Sequence, residues 1–215
     1  MDCKYTWGLA GAVIGVAAGV AGKKLCTVLH AKTASSSEEP ELSTTSSGHS
    51  GSVYETNTAV SEYLHFHYGS AAEIMPYPAG PHDALHFAQR TGELVVAQAQ
   101  QHGVTLGRCL DVGCAVGGTS FEVSKAFDSV LGVDFSHAFI RTANELAAGK
   151  VLPYEVTTQG KLKATHTAEL PAGVRPSHCQ FEQGDACNLR ADIGTFDVVH
   201  GANLLCRLPN PQYVS

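Results

Sequence analysis

A glycine-rich turn with an acid inside it is the part of this sequence best suited to hold a small ligand. The turn lies in Arg108–Gly118, where Gly113 and Gly117 follow the short apolar run Cys109–Val112. A run of this length is typical of a buried parallel strand, and glycine lets backbone N–H groups approach a ligand closely. The stretch therefore predicts a strand, a ligand-binding turn and then a helix over Thr119–Phe127.

Two acids indicate which ligand the turn holds. Asp111 lies inside the motif, where a carboxylate repels a lone pyrophosphate but suits the cationic amino-acid end and sulfonium of S-adenosylmethionine. Asp134 ends the apolar run Val130–Val133, at about the 20-residue spacing of a second-strand acid that binds ribose hydroxyls. A nicotinamide-dependent oxidoreductase fits less well, because it predicts glycine at Ala115 or Val116 and no acid at Asp111.

The motif resembles that of the class I S-adenosylmethionine-dependent methyltransferases. The matching residues are Leu110–Gly117, read as Leu-Asp-Val-Gly-Cys-Ala-Val-Gly, and the pair Val133–Asp134; Ala115 replaces the usual central glycine. The resemblance implies an α/β fold with a Rossmann-like doubly wound sheet. The loop would cradle the methionine end of the cofactor, Asp134 the ribose and Asp185 the adenine, unless Asp185 only caps its own loop. The predicted cofactor-binding residues are Asp111, Gly113, Cys114, Ala115, Gly117, Asp134, Phe135, Asp185 and Ala186.

Several stretches together resemble one narrower family, the mercaptohistidine N-methyltransferase domain at the C-terminus of ovothiol synthases. These stretches are Tyr54–Thr56, Ser61–Leu64, Phe66–Gly69, Leu110–Gly117, Val133–Ile140, Phe181–Leu189 and Ala202–Pro209. The resemblance implies methyl transfer to a ring nitrogen of mercaptohistidine in ovothiol biosynthesis. Full ovothiol synthases carry an iron-dependent sulfur-transfer domain upstream, where this chain has an uncharged segment and a linker. The alternatives are a methyltransferase for another small acceptor and a catalytically inactive cofactor-binding protein.

Three residues are predicted to serve the methyl acceptor as catalytic residues. Asn203 follows the fourth strand, where the reacting groups meet in this fold, although it could simply hydrogen-bond at the start of its loop. Arg207 has the planar fork that binds a carboxylate, unless it is only a surface residue. Tyr68 belongs to a predicted lid, unless it packs within its helix. No strong general base is expected for a neutral imidazole nucleophile, because in-line displacement mainly requires alignment in a dry pocket.

Composition narrows the class of protein further. The 215 residues suffice for one domain with a core, and 44% hydrophobic with 16% charged residues is an ordinary globular balance. A net charge of −6 lacks the basic footprint of a nucleic-acid-binding surface. The seven cysteines form no C-x-x-C pair, which predicts reduced, mostly buried thiols and no metal site. A small-molecule substrate is the expected partner, and the sequence leaves the oligomeric state open.

The N-terminal part, residues 1–32, carries a hydrophobic segment. Tyr5–Gly22 is uncharged and has glycine at every fourth position from Gly11, which predicts a membrane-spanning helix. Lys23 and Lys24 follow, so the rest of the chain is expected on the cytoplasmic side of the membrane. The alternative is a cleaved targeting segment, which leaves a cytoplasmic or organellar protein. Residues 33–52 predict a disordered linker, and residues 53–215 the methyltransferase domain.

The remaining predicted elements position the site. Three helices, a hairpin and two strands are expected, over Val53–Gly69, Asp83–Gln101, Ser136–Gly149, Tyr154–Thr165, Cys179–Gln183 and Phe196–Ala202. The first two helices are expected to cover the cofactor pocket as a lid. Because sheets of this class have further strands after the fourth, the domain is expected to be truncated there, with an open edge at the fourth strand.

Overall fold

The computed structural model of the chain describes residues 12–19, 24–31 and 50–209. The predicted linker over 33–52 lies outside these ranges except for its last residues, which begin a 3-10 helix over Ser50–Glu55. The described part of the chain has one main sheet, longer helices packed against one face of it and a separate two-stranded hairpin.

The main sheet has six strands, and five of them are parallel. The strands are β1 (Ala12–Gly19), β2 (Lys24–Ala31), β3 (Arg108–Val112), β4 (Ser129–Asp134), β7 (Cys179–Gln183) and β8 (Val198–Ala202). Their order in the sheet is β1-β2-β8-β3-β4-β7, and only the β1–β2 pairing is antiparallel. From β3 the chain passes to β4 and β7 on one side, and β8 returns on the other. This reversal of strand order opens a crevice at the carboxyl ends of β3 and β8, where ligands bind in such sheets.

The N-terminal segment differs from its prediction. Within Tyr5–Gly22, where a hydrophobic helix was expected, Ala12–Gly19 forms β1 and pairs with Lys24–Ala31. The repeated glycines disfavour a helix, and the β-branched residues Val13 and Ile14 favour a strand. No helix among residues 12–19, 24–31 and 50–209 has the length and apolarity needed to cross a membrane. The membrane location therefore stays a prediction.

The expected open edge at the fourth strand is also absent from the structure. Strand β2 pairs in parallel with β8, from Leu25 opposite Val198 to Leu29 opposite Ala202. This pairing satisfies backbone N–H and C=O groups that an edge strand would leave open. The N-terminal strands thus occupy the position beside β8 that the sequence had left empty.

Four helices follow the predicted order with shifted ends, and the short helix over Ala71–Ile74 was not predicted. The helices are α1 (Asn57–Tyr68), α2 (Ala71–Ile74), α3 (Phe87–Gln101), α4 (Gly118–Val123) and α5 (His137–Ala147). The side chains of Thr56 and Ser136 accept from backbone N–H groups in the first turns of α1 and α5, which fixes where both helices begin. Three further 3-10 turns lie at His82–Ala84, Pro176–His178 and Leu205–Arg207.

The predicted hairpin is present and packs on the N-terminal helices. It consists of β5 (Leu152–Gln159) and β6 (Leu162–Ala168). The Tyr154 hydroxyl lies 3.3 Å from His65 Nδ1, and His166 Nδ1 lies 2.9 Å from Glu73. These contacts attach the hairpin to α1 and α2, so the insertion supports the helices that cover the site.

A close contact behind the glycine turn explains one glycine of the sheet. Gly132 in β4 lies under the ring of Phe181, and a Cβ at this position would approach Phe181 Cδ1 to 2.6 Å and Cys114 Sγ to 3.0 Å. The thiols of Cys109, Cys114 and Cys179 are buried, as predicted, and burial raises the pKa of all three. Core side chains therefore pack against the side of the glycine turn that faces away from the cavity.

Candidate functional site

A cavity of about 820 Å³ lies at the carboxyl ends of β7, β4, β3 and β8. All but two of the predicted site residues line it, and these are Asp111, Gly113, Cys114, Ala115, Asp134, Phe135, Asp185, Ala186, Asn203 and Arg207. Helix α1 covers it with Glu62, Tyr63, Phe66 and His67. The first of the two helices expected as a lid thus covers the cavity, and the second contributes Phe87.

The glycine turn has the left-handed backbone that its sequence suggests. Gly113 has φ 75° and Gly117 φ 84°, and Ala115 adopts φ 48° despite its Cβ. The N–H groups of Gly113 and Cys114 donate to the carbonyl of Val133, at 2.7 and 3.1 Å. These bonds fasten the turn to β4 and leave its inner surface to face the cavity.

Asp134 connects the turn to helix α5. Its carboxylate accepts from the backbone N–H of Ala115 at 2.8 Å and from that of Ser136 at 2.9 Å. Burial raises its pKa, although the two backbone hydrogen bonds oppose this effect. Each carboxylate oxygen has a second lone pair, so Asp134 can still accept from a pair of ribose hydroxyls while it holds the turn.

Asp111 has a different environment from the one its sequence suggested. It is 2% exposed, and one carboxylate oxygen accepts from the Ser120 hydroxyl at 2.6 Å, while the other lies 2.7 Å from His200 Nδ1. Burial opposes ionisation, but the charge of His200 and these hydrogen bonds leave the pKa of Asp111 lowered. Asp111 thus lies at the cavity wall paired with His200, a residue that the sequence analysis did not identify.

His67 is the second histidine of the cavity. Its Nδ1 accepts from the backbone N–H of Gly118 at 3.1 Å, next to the glycine turn. Burial lowers its pKa to about 4, although Asp111 acts in the opposite direction. The ring is therefore neutral near pH 7, with its proton on Nε2.

The adenine end of the predicted site lies in the loop after β7. Asp185 is exposed and its side chain accepts from the N–H of Cys187 at 2.8 Å, so the loop-capping role left open by the sequence is present. Ala186 is buried beside it, and Phe135 is 53% exposed at the cavity rim.

The acceptor side of the cavity is formed after β8. Asn203 follows the strand directly with φ 54°, and Arg207 is exposed in the 3-10 turn Leu205–Arg207. Among the described residues, the Arg207 guanidinium has no ion pair. Burial raises the pKa of Tyr63, and the charge of Arg207 acts in the opposite direction. An arginine fork and an aromatic wall therefore face the same space.

Two predicted site residues lie behind the turn instead. The Tyr68 hydroxyl donates to the carbonyl of Val116 at 2.8 Å, and a Cβ on Gly117 would approach Phe181 Cζ to 2.8 Å. Tyr68 and Gly117 thus shape the turn from its packed side, because α1 and β7 press against it there. The described cavity lining includes neither of them.

Comparison with known proteins agrees with this geometry. A family model described as a methyltransferase domain matches residues 110–214, a range that includes the turn, Asp134 and Arg207. No curated protein matches the sequence. The family match agrees with the methyltransferase domain predicted from the sequence, over the range that it covers.

Solved structures are similar over part of the chain. YcgJ from Bacillus subtilis is 19% identical, with 58% of this chain and 42% of that one covered and a TM-score of 0.42. An S-adenosylmethionine-dependent methyltransferase from Clostridium acetobutylicum is 15% identical, with 53% and 36% covered and a TM-score of 0.37. Magnesium protoporphyrin IX methyltransferase from Synechocystis, with bound SAH, is 19% identical, with 72% and 57% covered and a TM-score of 0.44. The chain thus spans 36% to 57% of the length of these proteins.

Proposed function

We propose that this protein transfers the methyl group of S-adenosylmethionine to a small acceptor that carries a carboxylate. The supporting observation is one continuous cavity that runs from Asp185 past Asp134 and Asp111 to Arg207. In this order the cavity offers an adenine loop, a ribose acceptor, the glycine turn and a lone guanidinium. The cofactor accounts for the first three features, and Arg207 remains for a second molecule.

The acceptor would lie between Arg207 and the aromatic residues of the lid. Tyr54, Tyr63 and Phe66 line this side of the cavity, and the rings of Tyr54 and Tyr63 meet edge to face at 6.2 Å between centroids. Aromatic faces suit a flat ring, while the guanidinium fork suits a carboxylate. An amino acid with an aromatic side chain combines both groups.

Mercaptohistidine is the acceptor we propose within this class. It has a flat imidazole ring and an amino-acid carboxylate, and its support is the sequence resemblance to the methyltransferase domain of ovothiol synthases. Plain histidine lacks the thiol, so a site that binds sulfur would leave its own group unpaired with histidine and turn it over more slowly.

The test has a binding step and a transfer step. Calorimetric titration with S-adenosylmethionine comes first, followed by transfer of a labelled methyl group to mercaptohistidine and to histidine. We expect cofactor binding and faster transfer to mercaptohistidine. Equal rates on both compounds would leave a methyltransferase of another acceptor, and binding without any transfer would favour the catalytically inactive alternative.

A matched pair of arginine variants tests the position of the acceptor. Arg207→Gln should raise the acceptor KM about 10–100-fold, the equivalent of roughly 1.5–3 kcal/mol for a charged hydrogen bond, and leave cofactor affinity unchanged. Arg141→Gln, on the exposed face of α5, is the control and should change neither quantity. An unchanged acceptor KM in the Arg207 variant would remove this residue from the acceptor site.

A further inference from the structure

Asp111 and His200 form a buried pair on neighbouring strands. They are directly opposite each other in the register of β3 and β8, and each is 2% exposed. His200 Nδ1 lies 2.7 Å from Asp111 Oδ1, and Ser120 donates to Oδ2 at 2.6 Å. The carboxylate is thus held on both oxygens, and the imidazole has a fixed direction.

The contacts of this pair determine which nitrogen of His200 carries the proton. An ionised Asp111 can only accept, so Nδ1 is the donor, and whenever the ring is neutral Nε2 keeps its lone pair. His67 has the opposite arrangement, because its Nδ1 accepts from Gly118 and its proton is on Nε2. The cavity is therefore lined by one imidazole acceptor, His200, and one imidazole donor, His67.

The acceptor nitrogen of His200 has no partner within the described protein. Nε2 is buried without a hydrogen bond among residues 50–209, although leaving such a group unpaired costs about 1–3 kcal/mol. His200 lines the cavity, but its Nε2 atom has almost no accessible surface. A bound molecule can therefore supply the missing donor only by moving the side chains that cover this atom. This unpaired nitrogen is the observation that points to a ligand group with a proton to give.

The position of His200 in the sheet indicates whether the cofactor or the methyl acceptor supplies the missing hydrogen-bond donor. The loop after β7 faces the adenine side, Asp134 ends β4 at the ribose side, and the turn after β3 faces the methionine side. Strand β8 is the next strand in this order. His200 in this strand and Asn203 after it both line the cavity, so the strand order places them next to the methionine side, toward Arg207.

We propose that His200 is the general base of the methyl transfer and that Asp111 is its positioning residue, an inference that rests on the proposed function. The acceptor nitrogen attacks the methyl carbon with its lone pair, and the S–CH3 bond breaks with its electron pair passing to sulfur. The products are S-adenosylhomocysteine and a methylated nitrogen. The proton lost by the acceptor passes to His200 Nε2, and the resulting imidazolium is balanced by the Asp111 carboxylate.

This assignment narrows the substrate class. The acceptor must carry a proton that it loses on methylation, as the N–H of an imidazole or the proton of an amine, hydroxyl or thiol does. Acceptors without such a proton gain nothing from His200. The sequence analysis expected that alignment of the reacting atoms would be enough for catalysis. The proposal adds a general base, because an imidazole nitrogen without a hydrogen bond, next to a fixed carboxylate, can take up a proton.

Two readouts test the pair without any acceptor. Nitrogen NMR of the full chain labelled at histidine, with S-adenosylhomocysteine bound, should show His200 with its proton on Nδ1 and a free Nε2. Calorimetry should show the same S-adenosylmethionine affinity for His200→Gln as for the unchanged protein. A proton on Nε2 of neutral His200 would overturn the proposal. A loss of cofactor affinity of about tenfold or more would also overturn it, because His200 would then be a ligand of the cofactor's ammonium group.

A third readout uses turnover of mercaptohistidine. His200→Gln should lower kcat by about 10²–10⁴-fold. Asp111→Asn should lower kcat while the acceptor KM stays near its original value. Added imidazole should restore part of the rate of His200→Ala. His178→Gln is the control, since His178 also has a buried, unpaired ring nitrogen but does not line the cavity, and it should keep full activity. An unchanged kcat in folded His200→Gln would refute the base. If the unchanged protein methylates no acceptor, the proposed function fails, while the NMR and binding results still decide on the pair.

Discussion

Acid should destabilise the region around the glycine turn through His67. Burial lowers the pKa of this residue to about 4 in the folded protein, while histidine in an unfolded chain titrates near 6.5. Between these values the unfolded chain binds a proton that the folded protein does not, so the free energy of unfolding falls as the pH falls from about 6.5 to about 4. From pH 7 to pH 5 this one group should cost roughly 2 kcal/mol, and about 3 kcal/mol once the pH is below both values.

The perturbation that isolates this effect is His67→Gln. The amide oxygen of glutamine can still accept from the N–H of Gly118, but it does not titrate. Urea unfolding of both proteins at pH 7 and at pH 5 gives the pH dependence of each, and the variant should lose roughly 2 kcal/mol less between the two. His102→Gln, in an exposed side chain at the end of α3, is the control. Equal losses in His67→Gln and the unchanged protein would show that His67 is not held neutral by burial.

Three further variants test the turn and the sheet beneath it. Asp134→Asn removes a charged acceptor and should weaken S-adenosylmethionine binding by about 2 kcal/mol, or roughly 30-fold; unchanged affinity in calorimetry would contradict the ribose assignment. Ala115→Gly relieves a left-handed residue and should raise the free energy of unfolding by up to about 1 kcal/mol, whereas a loss in urea unfolding would show that the alanine is not strained. Gly132→Ala forces a Cβ to 2.6 Å from Phe181 and should cost about 1–3 kcal/mol. Gly201→Ala, with its nearest neighbour at 3.6 Å, should be close to neutral, and equal effects of the two glycine variants would refute the packing argument.

The sequence predicted the part of the fold whose signals are local. The strand Cys179–Gln183 was predicted with its observed ends, and Ser136 caps α5 where a helix start was expected. The segment around Ala12–Gly19 was predicted wrongly, because an uncharged run of this length suits a helix or a buried strand, and pairing with β2 decides between them.

The candidate site was likewise predictable only where its signals are local in the sequence. Asp134 was identifiable because its place at a strand end is visible in the sequence. His200 was not, since a histidine inside an apolar strand is no signal until the register places it opposite Asp111. Tyr68 was assigned to the cavity as part of the predicted lid, but its hydroxyl reaches Val116 on the other side of the turn.

The attachment of α1 at both ends has a consequence for how molecules reach and leave the site. At its start, Glu55 accepts from the N–H groups of His137 and Ala138 at 2.8 and 3.1 Å, and at its end His67 and Tyr68 bond to the glycine turn. A helix held in this way is a fixed wall, because opening it would break the first turn of α5 and the cradle together. Exchange of product for fresh cofactor should therefore pass the opposite rim, along 184–186 and 203–209, so that the residence time of the spent cofactor depends on the motion of these two short loops.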